Sequence, residues 1–313
     1  MKELNLLYCF DSGYNVQTFI SINSFIKNLK EYKFNIFIIH QNPASFNEYS
    51  NVISGKEQVN SLKIYEFDRN ISNYPNLKGK HVSEATYYRL FISDYLPSNI
   101  DKLIYVDSDV LCIDDCSATI SNIFNEIVDN NHTIAASTDI IKKNKDHDLF
   151  LNLNLNQDKY FNAGVMFIDY KKWLNETSVN EFINNVELMA EKIIFWDQDI
   201  LNLKFDGKYY ELPPSLNFRK SSITKLETII SHNFFIHFVG NHKPWTIEGG
   251  VEHYSQIYFD YYKEFTGKKY HFGLKSTRVN SLKVLFQNII NGKIFKTRYP
   301  LSFIIEGFKI ILK

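Results

Sequence analysis

The sequence predicts an α/β fold in which helices flank a mixed, mostly parallel sheet. Apolar strand patterns at residues 4–10, 34–39 and 62–67 are separated by a helical pattern at residues 16–29 and by a polar segment that we interpret as helical. A further apolar run, at residues 102–111, is rich in β-branched and aromatic residues and indicates a buried central strand. Alternation of strands and helices is typical of parallel sheets.

The rest of the chain continues this alternation. Residues 83–95 predict a helix that Ser83 can cap, and this helix leads into the central strand. Residues 118–128 predict a helix, and residues 133–137 predict a strand that ends at Asp139. The later elements are a strand at residues 160–169, a helix at residues 179–192, an extended connection at Pro213-Pro214 and a strand at residues 234–239.

Length and composition limit the class of protein. A chain of 313 residues can bury a large core, and we expect one domain, residues 1–269, followed by an extension, residues 270–313. The net charge of zero gives no general reason to expect a nucleic-acid partner. The three cysteines lack zinc-type pairing and are expected to be reduced core thiols. With no signal peptide and no run long enough to span a bilayer, we expect a cytoplasmic protein.

The central strand carries the strongest chemical signal. It ends in Asp107 and Asp109, one residue apart, and a carboxylate pair is costly to bury without a partner. At the carboxyl end of a parallel strand, two such groups can hold a divalent cation that in turn binds phosphate oxygens. The Asp-x-Asp pattern also occurs at residues 146–148 and 197–199, but only the first copy adjoins a hydrophobic strand.

The extension is basic and carries two amphipathic helical stripes. Its only acid is Glu306. Its basic residues are Lys275, Arg278, Lys283, Lys293, Lys296, Arg298, Lys309 and Lys313. Apolar residues repeat at helical spacing within residues 282–289 and 301–311. Basic amphipathic helices favour an anionic membrane surface, but stripes of this kind equally favour docking on the domain, and the sequence leaves both alternatives open.

Six motifs, in this order, resemble a bacterial family 8 glycosyltransferase. They are the strand and turn at residues 8–14, Tyr88-Arg89-Leu90, YVDSDVL at 105–111, FNAGV at 161–165, WDQDILN at 196–202 and HFVGNHKPW at 237–245. The resemblance covers residues 4–265 and implies a nucleotide-sugar-binding fold of the GT-A type. It implies retaining transfer of glucose or galactose from a UDP-hexose to a surface glycan, such as lipopolysaccharide or capsule, or to a lipid-linked glycan.

The resemblance also implies roles for residues that bind the nucleotide and a metal. Asp107, Asp109 and His237 would coordinate Mn²⁺ or Mg²⁺, and the mixed carboxylate and imidazole set favours Mn²⁺. The remaining nucleotide-binding residues are Lys243 and Gly240 at the diphosphate, and Asp11 and Tyr14 at the nucleoside. One departure is Ser12, which stands where many relatives carry a second acid, and it makes the nucleoside contacts less certain than the metal site.

A second set of residues corresponds to the sugar side of the family's site. The sugar-binding positions are Arg89, Asn162, Ala163, Gly164, Asp197 and Gln198, and the last two are the candidate catalytic residues. An amide is a poor nucleophile, so we expect Gln198 to position the sugar while the leaving phosphate accepts the acceptor's proton. Asp139 is the candidate acceptor contact.

Two other functions remain compatible with the sequence. An inverting transferase of the same fold would use Asp139 or Asp197 as a base. A non-catalytic module would bind the nucleotide-sugar or a polysaccharide without turnover. For the favoured enzyme, the basic extension predicts peripheral attachment to the inner face of the plasma membrane.

Overall fold

The computed structural model describes residues 1–75, 83–141, 148–219, 226–273 and 277–312. Its strands, in chain order, are β1 (Lys2–Phe10), β2 (Tyr32–His40), β3 (Val59–Glu66), β4 (Lys102–Val106), β5 (Val110–Cys112), β6 (Ile134–Ile141), β7 (Lys159–Asp169), β8 (Tyr210–Glu211), β9 (Phe218–Arg219) and β10 (Phe235–His237). Within these ranges they form a seven-stranded sheet, ordered β3-β2-β1-β4-β7-β6-β8, and a three-stranded sheet, ordered β5-β10-β9.

Helices cover both faces of the larger sheet. They are α1 (Asn15–Asn28), α2 (Asn47–Ser54), α3 (Ile92–Tyr95), α4 (Ser117–Asp129), α5 (Asp148–Asn152), α6 (Tyr170–Glu176), α7 (Val179–Leu188), α8 (Trp196–Phe205), α9 (Leu226–His232), α10 (Ser255–Thr266), α11 (Arg278–Ile290) and α12 (Pro300–Leu312). The segment before α3, Glu84–Phe91, is a 3-10 helix, and Ser83 caps it by accepting a hydrogen bond from the amide of Ala85.

The predicted mixed, mostly parallel sheet is confirmed. Strands β3, β2, β1 and β4 run parallel to one another, whereas β7 lies antiparallel between β4 and β6. Alternate residues of β1 enter two different cores, since Leu6 and Tyr8 face α1 and α4 while Leu7 and Cys9 face the opposite side. A parallel strand that is buried on both faces needs such a continuous apolar sequence.

The central strand ends at the acidic pair, as predicted, and the apolar residues beyond that pair form a separate strand. β4 ends at Val106, the chain turns through Asp107, Ser108 and Asp109, and β5 begins at Val110 in the smaller sheet. Three consecutive polar residues cannot continue a strand that is buried on both faces without unsatisfied groups, so the chain leaves the larger sheet there. The acidic turn therefore lies where the two sheets meet.

Smaller differences concern the ends of elements. The strand predicted at 133–137 continues as β6 to Ile141, with irregular register beside Ser137 and Thr138. The helix predicted at 179–192 ends at Leu188. Helix α10 was not predicted, because its polar and aromatic residues obscure the helical spacing of its apolar residues. All three cysteines are buried and free of disulfides, as expected.

The C-terminal helices α11 and α12 contribute to the core that contains β1. Leu285, Phe303 and Ile311 are buried in that cluster, and Gly307 lets α12 approach Leu285. The large apolar side chains that remain exposed here are Val279, Phe286, Ile290, Phe295, Leu301, Ile305 and Leu312. Two of the basic residues noted above, Lys275 and Lys313, lie outside the described residues. No helix in the described ranges has both the length and the apolar character needed to cross a bilayer.

Candidate active site

Two carboxylates and an imidazole meet at the junction of the sheets. Asp107 and Asp109 lie in the turn between β4 and β5, and His237 ends β10 directly opposite Val110. In the described part of the chain these side chains form a group whose candidate ligand atoms all lie within 4.8 Å of one another. His237 Nε2 is 3.2 Å from Asp109 Oδ1 and 3.8 Å from Asp107 Oδ2. The structure thus brings together the three residues that the sequence suggested as metal ligands.

Gly164, on β7, leaves room for this group. A Cβ atom at this position would lie 2.2 Å from His237 Cε1 and 2.8 Å from Asp107 Oδ2, closer than real contacts allow. The backbone of Gly164 also accepts a hydrogen bond of 2.8 Å from the Asp107 amide. The donor set, two carboxylates and one imidazole around a space kept open by a glycine, fits a divalent cation of the Mn²⁺ or Mg²⁺ type.

Lys243 is the nearest cationic side chain to the acidic turn. Its ammonium group donates to Asp109 Oδ2 and, at 2.6 Å, to the carbonyl of Phe238. Burial favours the neutral form of Asp109, but Lys243 and His237 outweigh that effect and hold its pKa well below its usual value. Gly240, in the turn between His237 and Lys243, has a φ of +80° and open space where a side chain would start. This loop can therefore present backbone and ammonium donors to one anion.

Arg89 connects the acidic turn to Asp197. Its side chain is 7% exposed; its Nε lies 2.5 Å from Asp197 Oδ2 and its Nη1 3.4 Å from Asp107 Oδ1. It also donates to the carbonyl of Ala163 at 2.7 Å and stacks on the ring of Tyr105. Burial disfavours the charge on Arg89, yet Asp107 and Asp197 together raise its pKa above the ordinary value. Arg89 is therefore a fixed positive charge between the two acids.

Gln198 and Asn162 form a hydrogen-bonded pair beside this arginine. Gln198 Oε1 accepts from the Ala163 amide at 3.0 Å and from Asn162 Nδ2 at 3.2 Å, and Gln198 Nε2 donates to the Tyr160 hydroxyl. All predicted sugar-side residues thus lie in one hydrogen-bonded group around Arg89 and β7. Protein contacts hold both ends of the Gln198 amide.

Asp197 and Asp199, the two acids of the third Asp-x-Asp copy, contact different neighbours. Asp197 pairs with Arg89 and accepts from Thr86, whereas Asp199 accepts from Tyr160 and from the amides of Ile194 and Phe195. Asp199 therefore satisfies orphan amides before α8. In the second copy, positions 146 and 147 lie outside the described residues.

Asp11 and Tyr14 lie in the connection between β1 and α1. Asp11 accepts from the Gly13 amide at 2.8 Å and from Ser83, so it caps the short helix Ser12–Tyr14. The Tyr14 ring packs edge-on against Trp245 at 6.0 Å. Burial raises the pKa of Tyr14, and Asp109, Asp11 and Asp107 add to that effect, which places all three acids within electrostatic range of this ring.

The remaining predicted residue, Asp139, is paired with Arg219 on β9. Arg219 also donates to the Thr138 carbonyl at 2.9 Å and lies opposite His237 in the smaller sheet. Arg219 therefore connects Asp139 to β10, the strand that carries His237.

Sequence reasoning missed Asn217. Its side chain is 2% exposed and contacts both His237 Nδ1 and Asn162 Oδ1, so it joins the acidic turn to the Gln198 side. An amide flanked by Leu216 and Phe218 was the only signal in the sequence, and taken alone it is weak.

The titration of Asp197 gives a first prediction. Burial raises its pKa from 3.8 to about 6, although Arg89 and Thr86 lower it. Between those pH values the folded state holds a proton that the unfolded chain releases, so stability falls as pH rises from about 4 to about 6. Urea unfolding should show wild-type protein losing up to about 3 kcal/mol relative to Asp197→Asn across that range. Parallel stability curves for the two proteins would contradict this assignment.

The chain is similar in sequence to known proteins over most of its length. The profile of the family described as glycosyl transferase family 8 matches residues 5–249. A lipopolysaccharide 1,2-glucosyltransferase of Escherichia coli is 30% identical over 257 residues, covering 78% of this chain and 74% of the relative. General stress protein A of Bacillus subtilis is 28% identical over 217 residues, 64% of this chain and 72% of that protein.

The fold is also shared with solved structures. The galactosyltransferase LgtC, in complex with donor and acceptor sugar analogues, superposes with a TM-score of 0.69 at 20% identity, covering 84% of this chain and 96% of LgtC. The helix-flanked mixed sheet is thus of the GT-A type, as the motifs implied. The profile match covers most of the chain, and the chain belongs to glycosyl transferase family 8.

Proposed function

We propose that this protein is a metal-dependent, retaining hexosyltransferase that moves glucose or galactose from a UDP-sugar to a surface-glycan acceptor. The observation that carries the proposal is the Asp107, Asp109 and His237 group, with Lys243 beside it. The names of relatives support the hexose and the acceptor class, since they include a lipopolysaccharide 1,2-glucosyltransferase and a lipopolysaccharide 1,3-galactosyltransferase of Salmonella typhimurium.

The nucleotide diphosphate is assigned to the acidic turn and the loop that follows β10. A divalent cation, when bound, neutralises charge that develops on the departing diphosphate. Asp107, Asp109 and His237 would hold it, and their mixed oxygen and nitrogen donors favour Mn²⁺ over Mg²⁺. Lys243, released from Asp109, supplies a point charge to the same phosphates, and the loop at Gly240 supplies close backbone approach. Asp11 and Tyr14 are assigned to the nucleoside.

The sugar is assigned to the group around Arg89. Asp197 lies against a guanidinium and Gln198 is a neutral amide, so neither is a free carboxylate nucleophile. Front-face transfer, with a phosphate oxygen accepting the acceptor's proton, needs no such nucleophile. It leaves Gln198, Asn162 and Arg89 to orient the sugar, and Asp139 with Arg219 to meet the acceptor.

The test is release of UDP by the purified protein. UDP-glucose and UDP-galactose should each be incubated with Mn²⁺ and with EDTA, and one of them should give metal-dependent release. Tight binding of a UDP-sugar without any release would instead support the non-catalytic module. The anomeric configuration of the product, read by NMR, tests retention, and inversion would support the alternative in which Asp139 or Asp197 acts as base.

We further propose that the extension, residues 270–313, attaches the enzyme peripherally to the inner face of the plasma membrane. The exposed apolar residues of α11 and α12 lie among basic side chains such as Arg278, Lys283 and Lys293. Apolar side chains beside cationic ones suit an interface of anionic lipid headgroups and acyl chains. Attachment would bring the active site to a lipid-linked acceptor.

Substitution of two exposed residues should weaken this attachment. Ile290 and Leu301 are 80% and 76% exposed, so Ile290→Glu with Leu301→Glu leaves the buried face intact. Losing two apolar anchors of about 1.5 kcal/mol or more each should lower partitioning onto phosphatidylglycerol vesicles by about 100-fold or more. The readout is co-sedimentation, which salt should also weaken.

Leu188 supplies a matched control for this experiment. It is 79% exposed and lies on α7, outside the extension, so Leu188→Glu should leave sedimentation unchanged. Equal sedimentation of the double variant and wild type would refute membrane attachment through these helices, while activity on a soluble acceptor should be unaffected in all three proteins.

A further inference from the structure

We propose that Asn217 is a positioning residue that holds His237 in the tautomer with the proton on Nδ1, leaving Nε2 free to bind the cation. The inference rests on the metal site of the proposed function. Asn217 Oδ1 lies 2.9 Å from His237 Nδ1. Since a carbonyl oxygen only accepts, the ring nitrogen facing it must donate, and a neutral imidazole has one donor.

The orientation of the Asn217 amide follows from fixed backbone donors. The Ala163 amide donates to Gln198 Oε1, which is therefore the oxygen of that side chain. Asn162 Nδ2 donates to the same oxygen at 3.2 Å, and Asn162 Oδ1 accepts from the Gly164 amide at 3.1 Å. Two backbone N–H groups of β7 thus determine which end of Asn162 is the acceptor.

Asn217 continues this chain of donors to the imidazole. Because Asn162 Oδ1 accepts, the Asn217 atom 3.0 Å from it must be the amide nitrogen, and the Asn217 oxygen must face His237. A flipped Asn217 would set two acceptors against each other, which is costly because both groups are buried. The alternating donors and acceptors from β7 to His237 therefore specify one tautomer.

The consequence appears at the other ring nitrogen. With the proton on Nδ1, Nε2 carries a lone pair and faces carboxylate oxygens of Asp109 and Asp107 at 3.2 and 3.8 Å. Three electron-rich atoms converging on one point repel each other unless a metal cation, or in its absence a proton on Nε2, lies between them. Histidines that bind metals are oriented in this way by a partner on the second nitrogen. Here the partner also contacts Asn162 and so links the metal ligand to the sugar side.

Two variants distinguish the effect of Asn217 on His237 from its effect on Asn162. Asn217→Leu keeps the approximate shape but removes the acceptor, and Mn²⁺ affinity, measured by titration calorimetry with and without UDP, should fall 10- to 100-fold. Asn217→Asp keeps an acceptor for the Nδ1 proton, so Mn²⁺ affinity should stay within a few-fold of wild type. Because Asn162 loses its donor, the KM for the UDP-sugar should rise in Asn217→Asp.

The decisive readout is the tautomer itself. Nitrogen-15 NMR of histidine-labelled, metal-free protein, with His237→Gln identifying the resonance, should show the proton on Nδ1 in wild type and in Asn217→Asp. Asn233→Leu is the matched control, because Asn233 is a buried amide near β10 whose side chain donates only locally, to Ile229. It should alter neither the tautomer nor Mn²⁺ affinity.

Two results would overturn the inference: a His237 Nδ1 without a proton in wild-type protein, or unchanged Mn²⁺ affinity in Asn217→Leu. Failure of the proposed transferase function would look different, since the tautomer and Mn²⁺ binding would follow Asn217 as described while no UDP-sugar released UDP.

Discussion

Replacing Asp109 by asparagine is expected to lower metal-dependent release of UDP at least about 100-fold, because outer-shell changes alone cost 10- to 100-fold. The substitution removes a carboxylate from the group shared with Asp107 and His237 and deprives Lys243 of its ion-pair partner. The amide is similar in size and lies in a turn, so the fold should persist. Initial rates over a range of Mn²⁺ concentrations and a far-ultraviolet circular dichroism spectrum provide the measurement.

Asp101 offers the control for this substitution. It precedes β4 at the opposite end from the acidic turn, is 64% exposed and pairs with Lys171. Asp101→Asn also removes one carboxylate, at the other end of β4, and should retain activity near that of wild type. Wild-type turnover in Asp109→Asn, with its Mn²⁺ dependence unchanged, would show that the acidic turn does not hold the cation.

The second large effect, on Mn²⁺ affinity, is expected when Gly164 is replaced by alanine, which adds one methyl group. In Gly164→Ala the new Cβ would start 2.2 Å from His237 Cε1 and 2.8 Å from Asp107 Oδ2, so the imidazole or β7 has to move. Both neighbours are proposed ligands, and we expect at least a tenfold loss of Mn²⁺ affinity. Overpacking should cost about 1–3 kcal/mol of stability. Calorimetric Mn²⁺ titration and urea unfolding measure the two effects separately.

Gly55 is a suitable comparison, because an added Cβ there would meet the Asn51 carbonyl at an ordinary 3.5 Å. Gly55→Ala should leave Mn²⁺ affinity unchanged and alter stability by less than about 1 kcal/mol. If Gly164→Ala behaved like Gly55→Ala, the crowding inferred around His237 would be wrong.

The sequence predicted those parts of the molecule that depend on local pattern. The buried strands β1, β2 and β4 and the helices α1 and α4 carry apolar periodicity that few other structures could satisfy. The end of the central strand at the acidic pair was predicted, but β5 was not identified as a separate strand, because apolar residues continue directly beyond the turn. Only tertiary structure shows that Val110 belongs to a different sheet from Val106.

In the candidate site, too, the sequence predicted some residues but not the contacts that depend on tertiary structure. Asp107, Asp109 and His237 were grouped from their motifs, and the structure brings them together. The sequence could not show which neighbours hold Asp197 and Asp199, because two helical positions, a rotation of about 200°, direct the first to Arg89 and the second to Tyr160. Nor could it identify Asn217, whose importance depends on two partners that are 20 and 55 positions away.

The acidic turn also has a mechanical consequence. Asp107 follows the last residue of a strand in the seven-stranded sheet, whereas His237 belongs to the three-stranded one. A cation bound by both Asp107 and His237 would link the two sheets. The melting temperature should then rise with the concentrations of the cation and the nucleotide. The protein without its donor should therefore be the form that unfolds most easily.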